Sequence, residues 1–180
     1  MPSSMVRVAL HSSRETRMNE LPAGPFLYFG YGSNLDAAGM RTHCQSAQFV
    51  SIARLEGYQF AFTIESRNTW LGGVGDMQPD ANDEIWGALW LIAAEDSPPL
   101  DEHMGLFRDP PAYRRTTVEV TTPVGDVVRC RSYVVAAPDL NGFLPSPMYR
   151  DTIVRGARAV GLPEAYIARL AALPDNGRRH

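Results

Sequence analysis

From residue 26 to residue 136 the chain is dominated by short aromatic and β-branched runs punctuated by glycine, and sustained helical spacing begins only after Ser146. Strands first and helices last predict an α+β fold with a mostly antiparallel or mixed sheet, not an alternating parallel array. Phe26-Leu27-Tyr28-Phe29-Gly30-Tyr31, bounded by Pro25 and by Gly32-Ser33-Asn34, reads as a buried strand running into a turn. Residues 58–64 and 84–92 are further strand runs, and residues 70–75 form a strand whose glycines mark bulges or close backbone approaches. Residues 115–121 and 127–136 flank Gly125-Asp126 and predict an antiparallel hairpin.

The helical segments carry their own punctuation. Residues 36–44 suit a short helix weakened by Gly39, and residues 96–105 suit another with Pro98-Pro99 in its first turn. Ser146-Pro147 is a cap followed by a first-turn proline, Ile153, Val154, Ala157 and Val160 recur at helical spacing, and Gly161 stops the helix. Pro163 opens a last helix with Ile167, Leu170 and Leu173 on one face. Trp86 and Trp90, four apart in a strand, share a face and read as core. For 180 residues this predicts one domain over residues 26–174, between a flexible extension at residues 1–25 and a tail at residues 175–180.

All 17 basic residues are arginine. That excludes a lysine Schiff base, a Walker A lysine and a kinase lysine, and leaves the planar guanidinium as the only fixed side-chain cation for anions. A formal net charge of −3 argues against a general nucleic-acid partner. Two cysteines, Cys44 and Cys130, do not make a disulfide framework, so reduced thiols and a cytoplasmic location are expected. No run reaches membrane-span length, and His11, His43, His103 and His180 lack metal-ligand spacing. No metal and no cofactor are expected, and the histidines read as surface or packing residues.

The strongest local signal is Tyr31-Gly32-Ser33-Asn34-Leu35. A glycine turn between strand and helix directs backbone N–H groups outward, where they can bind a carboxylate or an oxyanion, and Ser33 and Asn34 add side-chain donors. The alternative is a turn that merely caps the next helix through Ser33 or Asn34. Ser33 lacks the Gly-x-Ser-x-Gly setting of a nucleophile, and Gly73-Val74-Gly75 lacks the third glycine and helix of a nucleotide loop.

Phe26-Leu27-Tyr28-Phe29 leading into Tyr31-Gly32-Ser33-Asn34-Leu35, then Ala53-Arg54-Leu55, Trp70 to Gly73, Asp83-Glu84-Ile85-Trp86-Gly87, Leu100-Asp101, Cys130-Arg131-Ser132-Tyr133 and Pro145-Ser146-Pro147-x-Tyr149 resemble, in order, the gamma-glutamylcyclotransferases. The resemblance implies a small mixed β-barrel with flanking helices, and a monomer or homodimer acting on a small γ-glutamyl substrate. It implies that Tyr31, Gly32, Ser33, Asn34 and Leu35 cradle the glutamyl end while Tyr113 and Tyr149 line the site. The implied reaction is attack of the substrate α-amine on its own side-chain carbonyl, closing 5-oxoproline and expelling an amine or amino acid.

Such a ring closure needs a folded substrate and a group that takes a proton from the amine and returns one to the leaving nitrogen. In the family that group is a Glu directly before the glycine of a Leu-Asp-x-x-Glu-Gly block. Here the block reads Leu100-Asp101-Glu102-His103-Met104-Gly105, which puts Met104 at the catalytic position. Three arrangements fit. Glu102, the nearest acidic stand-in, or His103 or Asp101 takes over proton transfer. Alternatively a base such as Glu65 or Asp76 serves a changed substrate or a related acyl transfer. In the third, the protein binds a glutamyl-like molecule without turning it over. Arg54 reads as a structural partner.

Overall fold

A computed structural model describes residues 22–179. The N-terminal extension expected at residues 1–25 thus lies outside the described residues, apart from residues 22–25. Strand β1 (Phe26–Gly30) passes through a 3-10 turn (Ser33–Leu35) into α1 (Ala37–His43). The long strands β2 (Gln48–Ser66) and β3 (Gly72–Ile92) follow, then a second 3-10 turn (Ala94–Asp96) and α2 (Ser97–His103). The hairpin β4 (Tyr113–Thr121) and β5 (Val127–Val135) precedes α3 (Pro147–Val160) and α4 (Glu164–Ala171).

The strands close into a barrel in the order β1-β3-β2-β4-β5. Neighbours pair antiparallel except at the seam, where β1 runs parallel to β5 with Tyr28 opposite Arg131. This is the α+β fold with a mixed sheet that the element order predicts, closed into the small barrel with flanking helices that the family resemblance implies. Period-two alternation explains its two cores. Phe29, Leu55, Ile85 and Leu89 belong to one buried cluster with Val118 and Val120 of the β4–β5 hairpin. Tyr28, Ala88, Trp90 and Ile92, the intervening residues, pack with Ile153, Ala157 and Ile167 of α3 and α4. With both faces of β3 covered near its end, Ile85–Ile92 reads as an almost unbroken apolar run.

The two β-runs expected at residues 70–75 and 84–92 prove to be ends of one strand, β3, paired along most of β2. Pro79 and its polar neighbours hid the continuity. Pro79 lies opposite Tyr58, next to a register shift between Glu56 and Tyr58, where a missing N–H is tolerated. The hairpin and the last helix pair fall where the sequence put them. Ser146 caps α3 by accepting from the Tyr149 N–H at 3.2 Å, and Gly161 ends it at a left-handed φ of 78°. The expected tail is tied down in part: the Asn176 N–H donates to the Pro145 carbonyl at 2.9 Å, and its side chain donates to the Leu71 carbonyl at 2.8 Å.

Candidate functional site

A cavity of about 380 Å³ opens where the Ser33–Leu35 turn, the β2–β3 connection, the end of α2 and the start of α3 meet. Tyr31, Gly32, Ser33, Asn34, Met104, Tyr113 and Tyr149 of the expected site lie on its wall, while Leu35 and Glu102 do not. Leu35 is fully buried, and its backbone presses against Gly156 of α3, where an added Cβ would come within 2.6 Å of the Leu35 carbonyl carbon. Its role is to seat the turn on α3. Glu102 is exposed on α2, two positions from Met104, as helical geometry requires of residues on different faces.

The turn does not use Ser33 or Asn34 to cap α1. Asp36 does that, accepting from the Gly39 N–H at 3.1 Å. The N–H groups of Leu35 and Asp36 close the 3-10 turn onto the carbonyls of Gly32 and Ser33, whereas those of Gly32, Ser33 and Asn34 have no backbone acceptor among the described residues. The buried Asn34 amide donates to the Tyr28 hydroxyl at 2.8 Å and to Met104 Sδ at 3.7 Å. Met104 therefore points at the turn, and the end of α2 closes over the cradle.

Two tyrosines expected to contact a ligand are used differently. The Tyr113 hydroxyl donates to the Gly75 carbonyl at 2.6 Å, committing its only proton. The Tyr149 hydroxyl accepts from the Gly75 N–H at 2.9 Å and also meets the backbone and side chain of Ser33, so its oxygen is held by acceptor contacts and its own proton is not committed to Gly75. Burial raises both hydroxyls above the ordinary tyrosine range, so they stay protonated donors. Gly32 matters for the same reason, since a Cβ there would sit 3.0 Å from the Tyr149 oxygen. Trp70 braces Tyr149 edge-on with ring centroids 4.9 Å apart. The Tyr31 hydroxyl is occupied below, donating to the Tyr133 carbonyl at 2.7 Å.

The remaining carboxylates are mostly spoken for. Asp76 is fully buried and accepts from the Thr63 hydroxyl, the Gln78 amide and the N–H groups of Met77 and Val135. Asp101 is buried, ion-paired with Arg115 and bonded to the Tyr133 hydroxyl at 2.8 Å. Glu65 is the one carboxylate on the cavity wall among the described residues, and its oxygens face Arg67 at 3.1 Å and Arg178 at 3.5 Å. Arg54 pairs with Glu56 at 2.7 Å and Glu84 at 3.3 Å on the barrel exterior, a structural role as expected.

His103, one of the proton carriers the sequence offered, lies on the wall, and His43, read only as a surface or packing residue, lies beside it. His43 ends α1 and His103 ends α2, and their rings stack with centroids 3.6 Å apart and planes inclined by 19°. Burial, then the neighbouring His43 and Arg108, pull His103 down to about 4, and burial lowers His43 as well. His103 was marked in the sequence by its place beside Met104, but nothing marked His43 as its partner, because the stack exists only once the ends of α1 and α2 lie side by side. Among the described residues no group of three His, Cys, Asp or Glu is arranged to hold a metal ion. Both cysteines are buried and unpaired, and burial pushes each thiol up to about 12.

A mixed five-stranded barrel that carries a donor-lined turn beneath a helix end defines a cyclotransferase-type scaffold, and comparison with known proteins agrees. A solved gamma-glutamyl cyclotransferase superposes with a TM-score of 0.82 at 33% identity, covering 87% of this chain and 92% of its own. Gamma-glutamylcyclotransferases of Homo sapiens and Bos taurus are 34% and 33% identical over 154 residues, 84% of this chain and 80% of each relative. The AIG2-like family model matches residues 84–170. The chain belongs to the gamma-glutamylcyclotransferase family, and its function is that of a cyclotransferase-like enzyme.

Proposed function

We propose that the protein closes the γ-glutamyl group of a small amide or peptide into 5-oxoproline and releases an amine or amino acid. The observation that carries this reading is the set of backbone N–H groups of Gly32 and Asn34 without backbone acceptors, beside the Tyr149 hydroxyl that Ser33 and Gly75 hold in place, at the wall of a cavity of about 380 Å³. Such donors bind the glutamyl carboxylate or the oxyanion that forms as the ring closes, and they are fixed before the substrate arrives. The cavity bends the substrate so that amine and carbonyl meet, which lowers the entropic part of the barrier. The residues that would do this are Tyr31, Gly32, Ser33, Asn34 and Tyr149, with Tyr113 buttressing the wall.

The buried, unpaired thiols support a cytoplasmic location and the mildly acidic charge speaks against a nucleic-acid partner, while the family resemblance supports a small-molecule substrate and a monomer or homodimer away from membranes. Among the described residues no helix is long and apolar enough to cross a membrane. Incubation with γ-glutamyl-alanine, followed by chromatographic assay of 5-oxoproline, tests the reaction. Catalytic release of 5-oxoproline and alanine is expected. Calorimetric binding of γ-glutamyl amides with no turnover of any would overturn it.

A further inference from the structure

We propose that the His103 imidazole, backed by the stacked ring of His43, moves the proton during ring closure in this chain, a role that rests on the cyclotransferase reading above. Asp76 and Asp101 are buried and saturated with donors, Glu102 is exposed outside the cavity, and Glu65 faces two arginines. Met104, at the tip of α2, has a thioether that accepts a hydrogen bond from Asn34 but cannot carry a proton. The imidazoles of His43 and His103 are on the same wall, and neither is hydrogen-bonded among the described residues. They are the titratable acceptors on that wall without a hydrogen-bond or ion-pair partner among the described residues, whereas Glu65 is held beside two arginines.

The pair has the right chemistry for a reversible acceptor. Two rings stacked 3.6 Å apart hold one added proton far more readily than two, because two imidazolium charges at that separation repel. His103 faces His43 from α1 and Arg108 from the following loop, both of which oppose its protonation. The tyrosines on the wall, Tyr28, Tyr31, Tyr113, Tyr133 and Tyr149, are all held protonated by burial, and Asp101 on its own helix is tied to Arg115. Held at about 4, His103 is neutral near neutral pH and matches the proton affinity of an ordinary carboxylate.

The step balances without any co-reactant. The neutral α-amine of the substrate attacks the γ-carbonyl carbon, a C–N bond forms, and the carbonyl electrons move onto an oxygen held by the turn N–H groups. His103 takes one proton from the attacking nitrogen. The oxyanion then collapses, the bond to the leaving nitrogen breaks, and His103 returns its proton there, giving 5-oxoproline and the free amine with the imidazole neutral again.

Initial rates of 5-oxoproline release from γ-glutamyl-alanine test this across acidic and neutral pH. The parent should show an acidic limb in kcat near pH 4, the value to which His103 is held. His103→Gln should lose about 10²- to 10⁴-fold in kcat with KM within about threefold of the parent. Adding Met104→Glu to His103→Gln should recover at least about tenfold, because a carboxylate at the helix tip restores a proton carrier and shows that the fold survives. If His103→Gln keeps kcat within about threefold of the parent, or if the loss falls on Glu65→Gln or Glu102→Gln instead, the assignment to His103 is wrong. No turnover by the parent, with turnover by Met104→Glu alone, overturns both the His103 role and the proposed activity of this chain, and shows only that the pocket accepts the substrate once a carboxylate is restored. No turnover by either overturns both.

Discussion

The hydroxyl of Tyr149, on α3, receives the amide proton of Gly75, on β3, across 2.9 Å, while the Tyr113 hydroxyl gives its proton to the carbonyl of the same Gly75 at 2.6 Å. One peptide position thus orients two tyrosines in opposite senses. Tyr149 is left as a donor into the cavity and Tyr113 is not.

The two tyrosines should therefore separate in mutagenesis. Tyr149→Phe should raise KM for a γ-glutamyl dipeptide about tenfold or more, because a hydrogen bond to a charged group is worth about 1.5–3 kcal/mol. It should also cost about 1 kcal/mol of stability through the orphaned Gly75 N–H. Tyr113→Phe should lower the urea midpoint by a similar amount and leave KM close to the parent. Equal KM effects in the two variants would show that the proton assignment is wrong.

Gly156 on α3 gives the second test. An added Cβ there would stand 2.6 Å from the Asp36 amide nitrogen and from the Leu35 carbonyl carbon, both backbone atoms that cannot yield cheaply. Gly156→Ala should destabilise the protein by about 1–3 kcal/mol by overpacking and displace the turn that Leu35 seats. Denaturant unfolding should show the loss of stability, and kcat/KM should fall with it. A Leu35→Ala variant should mimic the activity loss by loosening the turn from the other side.

His103 also sets a pH dependence of stability. Its folded value of about 4 lies below its ordinary value of 6.5. The unfolded chain therefore takes up a proton that the folded chain resists, so the contribution is whole above about pH 6.5 and shrinks as pH falls toward about 4. The parent should lose about 1–3 kcal/mol over that window through this group. His103→Phe should flatten this part of the curve, as read from urea midpoints at several pH values. An unchanged slope would mean that His103 is as solvated in the folded state as in the unfolded one.

Much of the fold was legible because it is local. The aromatic run of β1, the β4–β5 hairpin around Gly125-Asp126, the Ser146 cap and the Gly161 stop each follow from neighbours a few residues apart. Continuity of β3 through Pro79 was not, because only the partner strand β2 shows that the proline falls beside a register shift. In the site, the turn was visible as a motif, but its division of labour was not. That Leu35 anchors while Asn34 reaches Tyr28 and Met104 depends on α2 and α3 arriving from distant sequence. The His43–His103 stack is the extreme case, made by two helix ends 60 residues apart, His43 and His103, that share no motif.

The buried Asp101 holds the helix that carries His103 and Met104. Its carboxylate is ion-paired with Arg115 and accepts from the Tyr133 hydroxyl at 2.8 Å, while Ser97 at the start of the same helix is tied to Arg131 at 2.7 Å. Arg115 has 37% of its side chain exposed, so water screens part of the pair and softens the cost of breaking it. Asp101→Asn keeps the shape and one acceptor for Tyr133 but leaves the guanidinium without its counter-charge. It should cost about 1–3 kcal/mol and loosen the end of α2. Because the loosened end presents both Met104 and His103, kcat should fall more than KM rises. Arg115→Met should reproduce the loss of stability by leaving Asp101 unpaired, and the double variant Asp101→Asn/Arg115→Met should be less damaged than the sum of the singles, the mark of a direct pair in a mutant cycle. Strict additivity would show that the two residues support α2 independently.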